Sequence, residues 1–287
     1  MADAELALVE RLDQRVIRQV PELSRSMAVR LIEDGKVAVN GRVITKASHK
    51  IRPDDEVVIS YSISEQAVIP KIDLPIIFED KTCVVINKPV GLLTHSKGAF
   101  NPEATVATWL SGHVKDMDGD RAGIVHRLDR ATSGVMICAK TPDALSWLQK
   151  QFSQRKVKKT YVAVIEGTMK EKEAIIDMPI ERNPRKPQTF RVGANGKSAI
   201  TAYKVLKSDG QRSLLELRPT TGRTHQLRVH LQHLGHPIVG DTLYGGKPAD
   251  RLLLHATSLE LTLPNKERKT FEVPSPQIFT EMVKERG

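Results

Sequence analysis

Residues 123–140 read GIVHRLDRATSGVMICAK, a strand-like stretch that is interrupted to hold a charge. Val135–Ala139 is an apolar run of strand length. Just before it, one acid, Asp129, stands between Arg127 and Arg130 and is followed by a Thr-Ser-Gly turn. Opposite charge within a few ångströms favours the ionised form of a carboxylate and keeps it available as a base or nucleophile at neutral pH. A structural ion pair on a turn would need the same residues, so the stretch alone supplies a reason for the acid and not a function.

Around this stretch the chain from Ile76 to the C-terminus mixes strands and helices. IIFEDKTCVVINKP, from Ile76, reads as two strands about a polar turn. No repeat of domain-building length is present, and strand and helix do not alternate as a parallel sheet requires. The expectation for 76–287 is an α+β domain with a largely antiparallel mixed sheet and flanking helices. Upstream, SEQAVIPKIDLP at 64–75 carries two prolines and little periodicity and reads as a linker.

Residues 1–63 read as a small module of two helices and a small sheet. Leu8, Val9, Leu12, Val16, Ile17 and Val20 repeat at three and four, one helix face that Pro21 ends. A second start signal at Ser24 precedes the stripe Ala28, Leu31, Ile32, with Gly35 placed as the stop. VAVNGRVI then predicts a hairpin about Asn40-Gly41, and EVVISYSI follows as a last strand after a Pro53-Asp54-Asp55 turn.

At 287 residues and 40% hydrophobic content the chain can bury an ordinary core. No apolar run approaches a membrane span, and the N-terminus MADAELALVERLDQ has no signal-peptide core, so a cytoplasmic protein is expected. Cys83 and Cys138 each sit inside a hydrophobic run and read as small core residues. The net charge of +10 is uneven: residues 1–75 are nearly neutral, and the excess lies in the larger C-terminal part. A basic protein with few aromatics points to a polyanion held by phosphate contacts. No Walker loop or dinucleotide fingerprint occurs, so no cofactor is implied. His225, His230, His233 and His236 lack an i, i+4 pair and argue against a metal. Ser133 with His126 lacks the G-x-S-x-G elbow of a hydrolase.

HRLDRATSG, at 126–134, resembles the catalytic motif of pseudouridine synthases, in particular the A/D-type family of ribosomal large-subunit enzymes. Four further blocks match in order: NKPVGLLTH from Asn87, FSQRKVKKTYVAVIEG at 152–167, RPTTGRTHQLRVHLQHLGHPIVGDTLYG at 218–245 and LLLHATSLEL at 252–261. The N-terminal stretch resembles the alpha-L (S-four-like) RNA-binding module through RLD at 11–13, LSRSMAVRLIEDGKVAVNG at 23–41 and PDDEV at 53–57. Arg130-Ala131 departs from the commoner basic-then-acidic pair.

The resemblance implies a pseudouridine synthase fold and the isomerisation of uridine to pseudouridine in RNA, with large-subunit ribosomal RNA the expected substrate. Transfer RNA modification, or a non-catalytic RNA-binding assembly role, are the alternatives. Asp129 would be the catalytic aspartate, Tyr161 would lie against the base, and Arg223 would pair with the aspartate. The reaction breaks the bond from C1′ to N1, turns the uracil and joins C1′ to C5, so it needs an oxyanion and a sheltered pocket. Whether the carboxylate attacks carbon or takes a 2′ proton stays open. Arg127 would fill the gap left by the flipped nucleotide, with His126 beside it on the RNA backbone. Arg25, Arg30, Lys46 and Lys50 of the module, and Arg182, Arg185, Lys186 and Arg191 of a proline-interrupted loop, are the remaining expected RNA contacts. RNA is the one partner expected, with no membrane and no metal, for a monomer.

Overall fold

The computed structural model describes residues 9–283 except 22, 24, 61–68, 96–102, 115, 116, 118–120 and 122. The helix start expected at Ser24, the first part of the expected linker and the chain up to Leu8 lie outside the described residues. The chain divides into two units, 1–71 with 95–104, and 72–94 with 105–287.

In the first unit, strand β1 (Glu10–Arg11) leads into helix α1 (Leu12–Gln19) and then α2 (Arg25–Glu33). Strands β2 (Val37–Val39), β3 (Arg42–Val43), β4 (Lys50–Ile51) and β5 (Val57–Ile59) complete it. The expected stripe packs from Leu12 onward, with Leu12, Val16, Ala28, Ile32, Val37 and Ile51 fully buried together, whereas Val9, expected on the same face, is exposed ahead of the helix. Gly35 (φ 72°) ends α2, its amide donating to Ile32 and that of Lys36 to Leu31, which satisfies the carbonyls the helix end leaves open. Asn40 and Gly41, both at positive φ, make the two-residue turn of the β2–β3 hairpin.

The second unit is built on a nine-stranded sheet. Its strands are β6 (Ile76–Glu79), β7 (Cys83–Lys88), β8 (Ser133–Ala139), β9 (Lys158–Glu166), β10 (Glu173–Asp177), β13 (Ile200–Ser208), β14 (Arg212–Pro219), β15 (Leu254–Thr262) and β16 (Arg268–Glu272). A separate hairpin pairs β11 (Ile180–Arg182) with β12 (Phe190–Val192). Helices α3 (Val106–Leu110), α4 (Pro142–Ser153), α5 (Gln226–His233) and α6 (Ile278–Glu281) flank the sheet. The strand order is β10-β13-β14-β9-β15-β8-β7-β6, with β16 also on β15, and every pairing is antiparallel except β15 with β8. The expectation of a largely antiparallel α+β fold holds.

The one parallel contact matters for the site. Gly134 (φ 119°) lies so close to β15 that a Cβ there would stand 2.1 Å from the Ala256 carbonyl oxygen, so only glycine lets β8 begin against β15. Asp129 sits in the turn that feeds this junction. Two apolar clusters lie along the sheet, one with β7, β8, α3 and α4, the other with β9, β14 and α5, and Tyr161 on β9 packs against both. Cys83 and Cys138 are fully buried in the first, where desolvation pushes both thiols up to about 12.

Candidate active site

Backbone hydrogen bonds lace the turn carrying Asp129 to the loop after β7. Leu128 donates its amide to Thr94 Oγ1 (3.2 Å), whose hydroxyl returns a bond to the Leu128 carbonyl (2.8 Å). The Gly91 amide donates to the Arg130 carbonyl, and Thr132 closes the turn on the Asp129 carbonyl. Lys88 lies fully buried beneath, its ammonium donating to the carbonyls of Leu92 (2.7 Å), Pro89 (3.0 Å) and Arg130 (3.5 Å). Burial pulls that amine down to about 8, against the opposing pull of Asp129. The NKPVGLLTH block is thus the clamp of the turn that carries Asp129.

Two side chains from the α5 region face the carboxylate: Arg228 Nη1 and His225 Nε2 each lie 3.8 Å from Asp129 Oδ2. Arg228 is itself buried and held by Asp241 through two bonds of 2.7 Å, with its guanidinium 4.9 Å over the Tyr244 ring. His225 (φ 56°) precedes the helix, and its Nδ1 is 2.8 Å from the Tyr244 hydroxyl, which accepts the Phe190 amide of β12. Desolvation lowers the His225 pKa, with Asp129 opposing. The hairpin, α5 and the Asp129 turn therefore converge on one carboxylate.

Arg223 does not pair with Asp129, and the expected pairing is corrected. Its Nε donates to the Ser198 carbonyl (3.0 Å) at the pocket rim, and Arg228, five residues on, takes the place beside the acid. The physical reason is helix α5: Arg228 lies on it among buried Leu227 and Val229, whereas Arg223 precedes it on the turn. Nor does the cation beside Asp129 within 4 Å come from Arg127, which is exposed at the mouth of the site.

Asp129, Tyr161, Leu128, Thr132, Lys159 and Arg228 line a cavity of about 120 Å³. Tyr161 is raised above its ordinary pKa by desolvation and then by the Asp129 charge, which moves it away from a phenolate. His126 is drawn down to about 3 by burial; its Nε2 accepts the Ile137 amide (3.2 Å) and its ring stacks on Phe152 at 4.5 Å. Ser133 hydrogen-bonds His255, not His126, and receives Arg251. The histidines of the 225–236 block diverge: His230 is buried on Thr201 and the Met178 carbonyl, and His236 bonds the Glu166 carbonyl.

Of the expected RNA contacts in the first unit, Lys46 and Lys50 are exposed, Arg25 pairs with buried Asp13 (3.2 Å) and Arg30 with Asp34 (3.6 Å). The segment 182–191, expected as a loop, is the closing turn of the β11–β12 hairpin with its flanks. Arg182 lies over the Phe190 ring, Arg191 pairs with Glu181 across the strands, and Arg185 and Lys186 are exposed on the turn. Sequence reasoning missed Arg228, Asp241, Tyr244 and Lys88. An arginine inside the otherwise buried QLRVHL run was the available signal, since a buried guanidinium demands a carboxylate.

An RNA pseudouridylate synthase model matches residues 82–233, more than half of the chain. The chain belongs to the RNA pseudouridylate synthase family. This pseudouridine synthase is an isomerase acting on RNA, and an S4 domain model matches its residues 10–57. Among its relatives is the ribosomal large subunit pseudouridine synthase D of Escherichia coli strain K12, 38% identical over 98% of this chain and 91% of that protein. The protein of the same name from Yersinia pestis is 40% identical over 91% of this chain and 86% of its own length. Of solved structures, human RNA pseudouridylate synthase domain containing 1 matches with a TM-score of 0.59 and 30% identity, over 71% of this chain and 84% of that one. No helix among the described residues is long and apolar enough to cross a membrane.

Proposed function

We propose that this synthase isomerises uridines in large-subunit ribosomal RNA, acting in the cytoplasm as a monomer, with Asp129 the catalytic aspartate, Tyr161 against the base and Arg228 holding the charge beside the acid. The observation that carries this is Asp129 at the wall of a cavity shared with Tyr161, 3.8 Å from a guanidinium fixed by Asp241. The full-length similarity to proteins named ribosomal large subunit pseudouridine synthase D supports the RNA class. Arg127, exposed two residues before the acid, is free to enter the stack when the uridine leaves it. The N-terminal module adds RNA affinity from a second place on the chain.

Mapping pseudouridines in total RNA of the source organism with and without the gene tests the reading. The expected result is loss of one or more pseudouridines in large-subunit ribosomal RNA, restored by the wild-type gene and not by Asp129→Asn. Loss confined to transfer RNA would overturn the substrate class. Unchanged maps would make the chain a binding factor and overturn the catalytic reading.

A further inference from the structure

A second cavity of about 430 Å³ adjoins the Asp129 pocket and shares Arg127, Lys159, Tyr161 and Arg223 with it. Arg155 joins these, so four cations line the space, and among the described residues no carboxylate does. Gathering like charges around one concavity without an acid raises the local potential and favours an anionic occupant. Lys159 spends one of its three donors on the Thr221 carbonyl (2.9 Å), leaving two for a ligand. Burial pulls its amine down to about 8, so an anion there would restore the full charge.

Arg155 gives an independent sign. It ends α4 at φ 58°, its amide donating to Phe152 and that of Lys156 to Gln151, the capping geometry that glycine adopts without strain. An exposed arginine at this position holds a left-handed backbone at a cost and makes no ion pair within 4 Å among the described residues. Also lining this cavity is His126, neutral and stacked on Phe152.

We infer that this cavity is a subsite for the phosphodiester of the nucleotide joined directly to the target uridine, bound by Lys159 and Arg155 while the uridine occupies the Asp129 pocket. The inference rests on the RNA reading above. Because the two cavities share the Arg127, Lys159 and Tyr161 wall, the backbone of the flipped nucleotide passes from one to the other.

The test has two arms. Binding of a single-stranded oligouridylate dodecamer is followed by fluorescence anisotropy from low to high salt for the wild type, Lys159→Gln, Lys159→Arg, Arg155→Gly and, as a control lining neither cavity, Lys207→Gln. Each lost phosphate contact should reduce the slope of log K against log salt by about 0.7. Lys159→Gln and Arg155→Gly should each show that reduction, whereas Lys159→Arg and the control keep the wild-type slope. Arg155→Gly should also melt higher than the wild type, because glycine relieves the left-handed backbone, so weaker binding by a more stable protein excludes a folding artefact. Unchanged slopes for Lys159→Gln and Arg155→Gly overturn the subsite. The second arm uses an RNA that the wild type converts, with one neutral methylphosphonate on either side of the uridine. At one of the two positions the wild type should lose about tenfold in kcat/KM, roughly 1.4 kcal/mol, and Lys159→Gln should lose nothing further there; multiplied losses overturn the subsite. A wild type that converts no ribosomal uridine defeats the proposed function instead, and the salt slopes still decide the subsite.

Discussion

Arg228 has two tasks that a pair of substitutions can separate. It satisfies Asp241, of which 1% of the side chain is exposed, and it sets a positive charge 3.8 Å from Asp129. Arg228→Met leaves the Asp241 carboxylate buried without a partner, which costs about 3–5 kcal/mol. At about 2–4 °C per kcal/mol for a domain of this class, the melting temperature should fall by roughly 6–20 °C. Arg228→Met combined with Asp241→Leu removes both charges from the apolar surroundings and should return the melting temperature to within roughly 5 °C of the wild type. Activity should not return. Two unit charges about 4 Å apart interact by about 4 kcal/mol at an effective dielectric of roughly 20. Losing between a third and all of this in the transition state lowers kcat about 10- to 1000-fold. Circular dichroism melts and a pseudouridine formation assay, run well below both melting temperatures, read the two effects separately. Recovery of activity by the double variant would refute the electrostatic role, and an unshifted melt of Arg228→Met would refute the buried pair.

Asp129→Asn should abolish product formation while RNA affinity stays within a few fold, because the amide keeps the shape and loses the charge; turnover near wild type in a quench-and-map assay would remove Asp129 from the chemistry. Tyr161→Phe keeps the aromatic face and loses only the hydroxyl, so RNA binding should hold and product formation should fall; ordinary product formation would reduce Tyr161 to a platform. RNA affinity should decline as pH rises through about 8, where Lys159 loses its proton. Its neighbours do not titrate there: His126 is held near 3, Tyr161 is raised, and guanidiniums stay charged. Lys88, also near 8, clamps the Asp129 turn and not the ligand, so Lys159→Arg should flatten the affinity profile by itself; an unflattened profile counts against the assignment. Burial depresses His126 to about 3 and His255 to about 4, so the unfolded chain binds more protons than the folded one below about 6.5. Stability should be complete above that pH and fall steadily toward pH 4 in denaturant titrations, and a flat profile would contradict the buried neutral rings.

Local signals were readable in the sequence where the chain's own backbone enforces them. Asn40-Gly41 makes its hairpin and Gly35 ends its helix because positive φ suits those residues wherever the rest of the chain lies. The parallel contact of β8 with β15 had no such local mark: it joins Ser133 to His255, and the only trace in sequence is the glycine at 134. The site divides in the same way. Asp129 and Tyr161 stood out because their motifs are contiguous, whereas the choice between Arg223 and Arg228 depends on where α5 begins and which way it points. Lys88 and Asp241 were legible only as letters of longer blocks, since what they bind is carbonyls and a guanidinium brought together by the tertiary fold.

The difference between Asp129 and the acids Asp13, Asp80 and Asp241 lies in how much of each carboxylate is already used. Asp13 accepts four bonds from Arg11 and Arg25, Asp80 is taken up by Thr82 and Cys83, and Asp241 receives both arms of Arg228. Such acids are structural, their lone pairs committed. Asp129 is arranged otherwise: Arg228 and His225 both stop at 3.8 Å, beyond hydrogen-bond reach, and among the described residues none donates a side-chain hydrogen bond to it. Asp241 explains how this is achieved, because an arginine already bound in two places cannot swing forward to cap a second acid. Its charge still acts across the gap, since Coulomb attraction falls slowly with distance while a hydrogen bond fails abruptly. The carboxylate thus faces a cation that leaves its oxygens open, the arrangement that a nucleophile or base meeting a ribose or a base would need. Asp241→Asn, by loosening Arg228 and letting it close on Asp129, would turn Asp129 into another structural acid.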